Sequence, residues 1–199
     1  MNRYLIVVVI FFLSYSFSYS QNDNSNKGKS NFISWTKDRK LKVSDFKIIK
    51  KKLKENDYTG MTYTDIQYNY KITKDSIFVT IRCVFNTRLS WLNSTDTNQY
   101  GLKHEQGHFD IGEIMAREMR RDFYESYNPN KAFNVYATLK KFRLKYVKKL
   151  NKLNLQYDNE TNHSVNKIKQ LEWETIIIPN MLFKNESYDN AMILITTRD

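Results

Sequence analysis

The chain has 199 residues, 41% of them hydrophobic and 15% aromatic, enough for one domain with a sizeable core and too apolar for a disordered chain. Lysine and arginine outnumber aspartate and glutamate by 32 to 21, and the formal charge of +11 brings nucleic acid, anionic envelope polymers and acidic substrates into consideration as partners. The single cysteine, Cys83, excludes a disulfide framework and a cysteine-rich zinc site, and five glycines with two prolines exclude collagen-like and low-complexity classes.

Arg3 precedes an unbroken apolar run from Tyr4 to Leu13, and Ser18 and Ser20 place small residues just before Gln21. A charged start, a short apolar core and a small-residue cleavage site predict a secretory signal peptide over residues 1–20. The run is shorter than the roughly 20 apolar residues of a transmembrane helix. The expectation is therefore an exported protein, periplasmic or secreted, with no integral membrane segment after cleavage; an uncleaved anchor is the alternative. Residues 21–31 form a polar, flexible leader.

Trp35, Leu41, Val43 and Phe46 mark a docked opening segment, and the basic stretch Lys47 to Lys54 reads as solvated surface. In 61–73 the residues Ile66, Tyr68, Tyr70 and Ile72 fall on one parity, and in 76–85 so do Ile77, Val79, Ile81, Cys83 and Phe85. Period two with β-branched and aromatic residues, joined by Lys74-Asp75, predicts an antiparallel hairpin with one buried face and Cys83 as a core thiol. From Gly101 the pattern becomes helical, with His108, Ile111, Met115, Met119 and Phe123 on one face until Asn128-Pro129. A second helix, from about Ala132 to Leu153, carries Phe142, Tyr146, Leu150 and Leu153 against a face of lysine and arginine. A polar break at 156–162 precedes a third helix near Ser164, packed through Ile168, Leu171 and Trp173. Met192 to Ile195 has the composition of a strand without a place in the fold.

His104-Glu105-Gln106-Gly107-His108 is an H-E-x-x-H motif inside the first helix. Residues four apart share a helix face, so both imidazoles reach one metal ion while Glu105 lies beside the open position. Zinc so held lowers the pKa of its bound water to about 7, and Glu105 takes the proton as the water attacks a carbonyl. With three His and nine Glu in the chain, about 0.002 chance matches are expected, so the motif is specific. Two histidines leave a catalytic zinc one ligand short. Helix geometry turns Asp110 and Glu113 away from the shared face, and Glu118 lies about 15 Å along the axis from His108. His163, the only other histidine, is the expected third ligand, with Asp158 and Glu160 as competitors.

These residues resemble the bacterial domain of unknown function 922. The likeness runs from about Trp35 to Trp173 and rests on Leu41 to Phe46, Phe85 with Ser90-Trp91, His104 to Ile111, the Arg117/Arg120 region, the Tyr157-Asp158-x-Glu160-Thr161-x-His163 segment and Gln170-x-x-Trp173. The chain has Val43 where that family usually has Trp, and Ser164 where it usually has Gly. The resemblance implies an envelope or secreted zinc-dependent protease whose zincin-like site is carried by His104, Glu105 and His108.

The second helix is strongly cationic, but its aromatic residues sit at packing spacing rather than interleaved for stacking on bases, so no nucleic acid is expected. A solvated face leaning on an anionic membrane or wall polymer fits better. The reading is an α+β, zincin-like domain over 32–178, followed by a C-terminal extension over 179–199. Its expected function is hydrolysis of peptide bonds in a peptide or protein substrate with Zn²⁺ as cofactor. The alternatives are a non-catalytic envelope interaction protein with a structural zinc and a zinc hydrolase of cell-wall amide bonds.

Overall fold

A computed structural model describes residues 30–50, 59–95 and 97–197. The signal peptide and nearly all of the leader expected from the sequence lie outside the described residues. The architecture is α+β, as the hydrophobic periods predict.

The hairpin is the frame. Strand β4 (Thr64–Ile72) pairs antiparallel with β5 (Ser76–Asn86) along its whole length, Thr64 opposite Phe85 and Ile72 opposite Ile77. The other edge of β5 is shared by two short strands from opposite ends of the chain. β1 (Phe32–Ser34) covers Val84 to Asn86, and β7 (Met192–Thr196) covers Ser76 to Thr80. Within the segment expected as a C-terminal extension, Ile193 and Ile195 are buried in the core through the main sheet. A second, smaller sheet joins β6 (Trp91–Asn93) to β2 (Lys47–Ile49) in parallel and to β3 (Gly60–Met61) antiparallel.

The buried stripe of β5 is the expected one, Ile77, Val79, Ile81, Cys83 and Phe85. Burial pushes the Cys83 thiol well above its ordinary pKa, as for a core residue. The stripe of β4 fades along the strand: Ile66 is fully buried, whereas Tyr70 and Ile72 are exposed.

Helix α1 (Gln99–Ser126) lies on this sheet, capped by Asn98, whose side chain accepts from the amides of Tyr100 and Gly101. Ile111, Met115, Met119 and Phe123 are buried as expected. At Gly112 the helix approaches β5 so closely that a Cβ would stand 2.6 Å from Cys83 Sγ. The N-terminal segment is fastened to α1 by Trp35, which donates to Asp110 Oδ1 at 2.7 Å, and by Leu41, whose amide donates to Gln106 Oε1 at 2.8 Å. Asp110 thus serves the scaffold.

Helix α2 (Val135–Thr161) is longer than the sequence pattern indicates and runs straight through the supposed polar break. Tyr157 and Thr161 are completely buried, so the core face continues there without aliphatic residues. α3 (Lys167–Glu172) follows, then a π-helical turn (Trp173–Ile177) and α4 (Ile178–Lys184). Of the three packing residues expected in this region only Trp173 is buried; Ile168 and Leu171 face outward, and Gln170 is completely buried in their place.

Asp122 ties α1 to α2, accepting from Lys145 Nζ at 2.6 Å and Tyr146 Oη at 2.5 Å. Burial works to raise its pKa, but these donors and Arg121 outweigh burial and hold the carboxyl below its ordinary 3.8. A depressed folded-state pKa adds stability above the unfolded value that disappears as pH falls through the folded value. Asp122→Asn should lower unfolding stability by about 1–2 kcal/mol near neutral pH. The gap from wild type should close in denaturation curves taken below pH 3.8.

Candidate metal centre

His104 and His108 stand one turn apart on α1, both buried, with ring centroids 4.9 Å apart. Asp158 enters from α2. Its Oδ1 lies 3.1 Å from His104 Nε2 and 3.1 Å from His108 Nε2. Among the described residues this is the one group of three or more His, Cys, Asp or Glu side chains arranged to hold a metal, one ligand atom from each lying within 4.8 Å of the others.

Second contacts orient both rings. Gln170 Nε2 donates to Tyr157 Oη and to Glu174 Oε1, each at 2.7 Å, which consumes both amide hydrogens. Its Oε1, 2.9 Å from His104 Nδ1, must therefore accept, and His104 carries its proton on Nδ1. His108 Nδ1 lies 3.1 Å from Asn154 Oδ1, the same arrangement from the other side. Each imidazole is thus held with Nε2 toward the shared centre, the way second contacts fix metal-ligating histidines. Tyr157 stacks on His104 at 4.6 Å and meets His108 edge-on at 5.0 Å. A Cβ on residue 107 would overlap the Tyr157 hydroxyl, so only glycine at this position of the motif lets α2 come so near.

The charges are coupled. Burial works against a charged His108, but the Asp158 carboxylate, with Glu105 and Asn154, overcomes it and raises the pKa from 6.5 to about 9. Burial likewise works to raise the Asp158 pKa, and the two imidazoles reverse this, holding it well below the usual carboxylate range.

Glu105 is buried beside this group without belonging to it. Its Oε2 has no hydrogen-bond partner among the described residues, and β3 backs onto the same carboxylate, where a Cβ on Gly60 would stand 2.6 Å from Oε1. An unsatisfied buried carboxylate oxygen is costly unless a further group faces it.

His163, the expected third ligand, sits at the rim. Its Nδ1 is 3.5 Å from Asp158 Oδ1 and its side chain is 42% exposed, and it lies outside the convergent group. The reason is the turn after α2: Asn162, His163 and Ser164 all have positive φ, and this left-handed run carries the chain away toward α3. Glu160 is engaged elsewhere, accepting from Trp173 Nε1 and Gln156 Nε2, each at 2.8 Å. Asp158, named from the sequence as a competitor, thus lies within the convergent group and His163 outside it. Sequence reasoning named neither Asn154 nor Gln170 as a site residue. The spacing of Asn154, Tyr157, Asp158 and Thr161, three and four apart, was a readable signal that the helix continued with its polar residues on one side.

Ser164 stands at φ 72°, where a Cβ is strained and glycine is not. Ser164→Gly should raise stability by about 1 kcal/mol without altering the site, measurable as a shifted denaturation midpoint.

The family described as "Bacterial protein of unknown function (DUF922)" matches residues 49–164, more than half of the chain. The chain belongs to the DUF922 family. The matched region contains His104, His108 and Asp158, together with Glu105 and the turn with His163. The DUF922 match stops short of Gln170 and Trp173, which close the site from the far side. No curated protein and no solved structure matches the chain.

Proposed function

We propose that this protein is an exported zinc-dependent metallopeptidase of zincin-like fold, with His104, His108 and Asp158 as metal ligands and Glu105 as general base. The observation carrying this reading is the convergence of two pre-oriented imidazoles and one carboxylate on a single point, with a buried, unsatisfied carboxylate oxygen beside it. Two nitrogens and one carboxylate oxygen are a donor set used by zinc hydrolases, which keep a fourth position open. When bound, zinc supplies a Lewis acid that acidifies water and polarises a carbonyl.

The remaining roles fall to the chain's own residues. Glu105 accepts a proton at Oε2 and returns it to the departing amine. Gln170 and Asn154 keep the rings from turning. His163, at the rim with Nδ1 3.5 Å from Asp158 Oδ1, is the proposed hydrogen-bond donor to charge developing on a substrate oxygen.

Metal analysis after reconstitution should give about one zinc per chain, and digestion of a peptide library should stop when a chelator is added. Absence of zinc would remove the reading. Asp158→Ala should weaken zinc binding by about 100-fold or more, because a direct ligand is lost, whereas His163→Ala should retain zinc and lose turnover. Competition against a chromogenic chelator separates these variants; the reverse pattern would restore His163 as ligand.

A further inference from the structure

We propose that the outward face of α2 docks on an anionic lipid bilayer. The 23 residues from Val135 to Tyr157 include no aspartate or glutamate and seven basic side chains, Lys140, Lys141, Arg143, Lys145, Lys148, Lys149 and Lys152. Three of these are matched within the fold: Arg143 pairs with Asp65, Lys145 with Asp122 and Lys149 with Glu118. Lys141, Lys148 and Lys152 make no ion pair among the described residues, and all three are exposed.

At 100° per residue, Lys141, Leu144, Lys148, Lys152 and Leu155 fall within an arc of about 80°. The core residues Leu139, Tyr146, Leu150 and Tyr157 occupy the opposite side of the helix. Leu144 is 63% exposed and Leu155 60%, so this stripe displays two leucines among unneutralised lysines. They lie about 16 Å apart along the axis, and no helix among the described residues is long and apolar enough to cross a membrane.

The leucines select the occupant. A soluble polyanion would use the lysines and gain nothing from the leucines. At a bilayer surface the leucines enter the acyl boundary while the lysine stems extend to place their ammonium groups among anionic headgroups. Charge complementarity and apolar burial then act on the same stripe.

Flotation of the purified protein with phosphatidylcholine vesicles, with and without phosphatidylglycerol, tests this. Binding is expected to the anionic vesicles and not to the neutral ones, and to decline with salt. Leu144→Ser with Leu155→Ser should weaken vesicle binding about tenfold at an unchanged denaturation midpoint. Lys141→Gln, Lys148→Gln and Lys152→Gln together should abolish binding, while the same loss of charge at Lys71, Lys131 and Lys184 should largely spare it. No binding to anionic vesicles, equal loss in the two lysine triples, or binding indifferent to the leucines would each overturn the proposal, the last in favour of a soluble polyanion.

Discussion

Glu105→Gln is expected to leave zinc content unchanged and to lower peptide hydrolysis by about 10²–10⁴-fold. Glu105 is next in sequence to His104, but its carboxylate lies against Gly60 of β3, outside the group of His104, His108 and Asp158. The amide therefore removes no ligand. It keeps the shape of the side chain in a space closed by Gly60 and Leu92, and loses only the ability to take a proton. Zinc stoichiometry and turnover measured on the same preparation give the answer. Retained turnover would exclude Glu105 as the base. Zinc bound by a wild-type protein that cleaves no peptide would instead make the metal structural, and an interaction role would replace the enzymatic one.

Glu113→Ala should destabilise the fold by about 3–5 kcal/mol. Glu113 Oε1 accepts from Arg117 Nε at 3.1 Å and from Arg120 Nη2, and all three side chains are buried. The guanidinium groups reach further: Arg120 Nη1 donates to the Ile81 carbonyl at 2.7 Å and Arg117 Nη1 to that of Leu182 at 3.0 Å. One carboxylate is thus shared by the two cations that fasten α1 to β5 and to α4. Without it, two charges remain out of water with no counterion. Denaturant unfolding with an unchanged slope reads the loss directly; a change below about 1 kcal/mol would show that the arginines find other compensation.

Where a face packs on apolar neighbours, local pattern in this chain is legible. The parity of Ile77 to Phe85 and the helical spacing of Ile111 to Phe123 arise from burial against the same core, and both elements are where the sequence puts them. The second helix misleads because its last two turns face a polar site. Asn154 and Asp158 occupy positions that an amphipathic pattern would give to leucine, so the apolar signal ends at Leu153 while the helix continues to Thr161. Gln170 misleads for the same reason: its amide is buried to hold His104, whereas Ile168, with the better core composition, is 81% exposed. The H-E-x-x-H motif gives half of the centre from local spacing. The other half comes from a tertiary approach of α2, made possible by the missing side chain at Gly107.

The pairing of β7 with β5 orders events during synthesis. Thr80 waits for Met192, more than a hundred positions downstream, before this edge of the central strand is closed. While α1, α2 and α3 leave the ribosome, the backbone groups of Ser76 to Thr80 on that edge have no strand to meet, and an open edge invites pairing with a neighbouring chain. Helices form quickly from local contacts, whereas this closure must draw together distant parts of the polypeptide. Completion of the main sheet thus comes after the three intervening helices have been made, and a chaperone that shields the β5 edge until then would raise the yield of native protein.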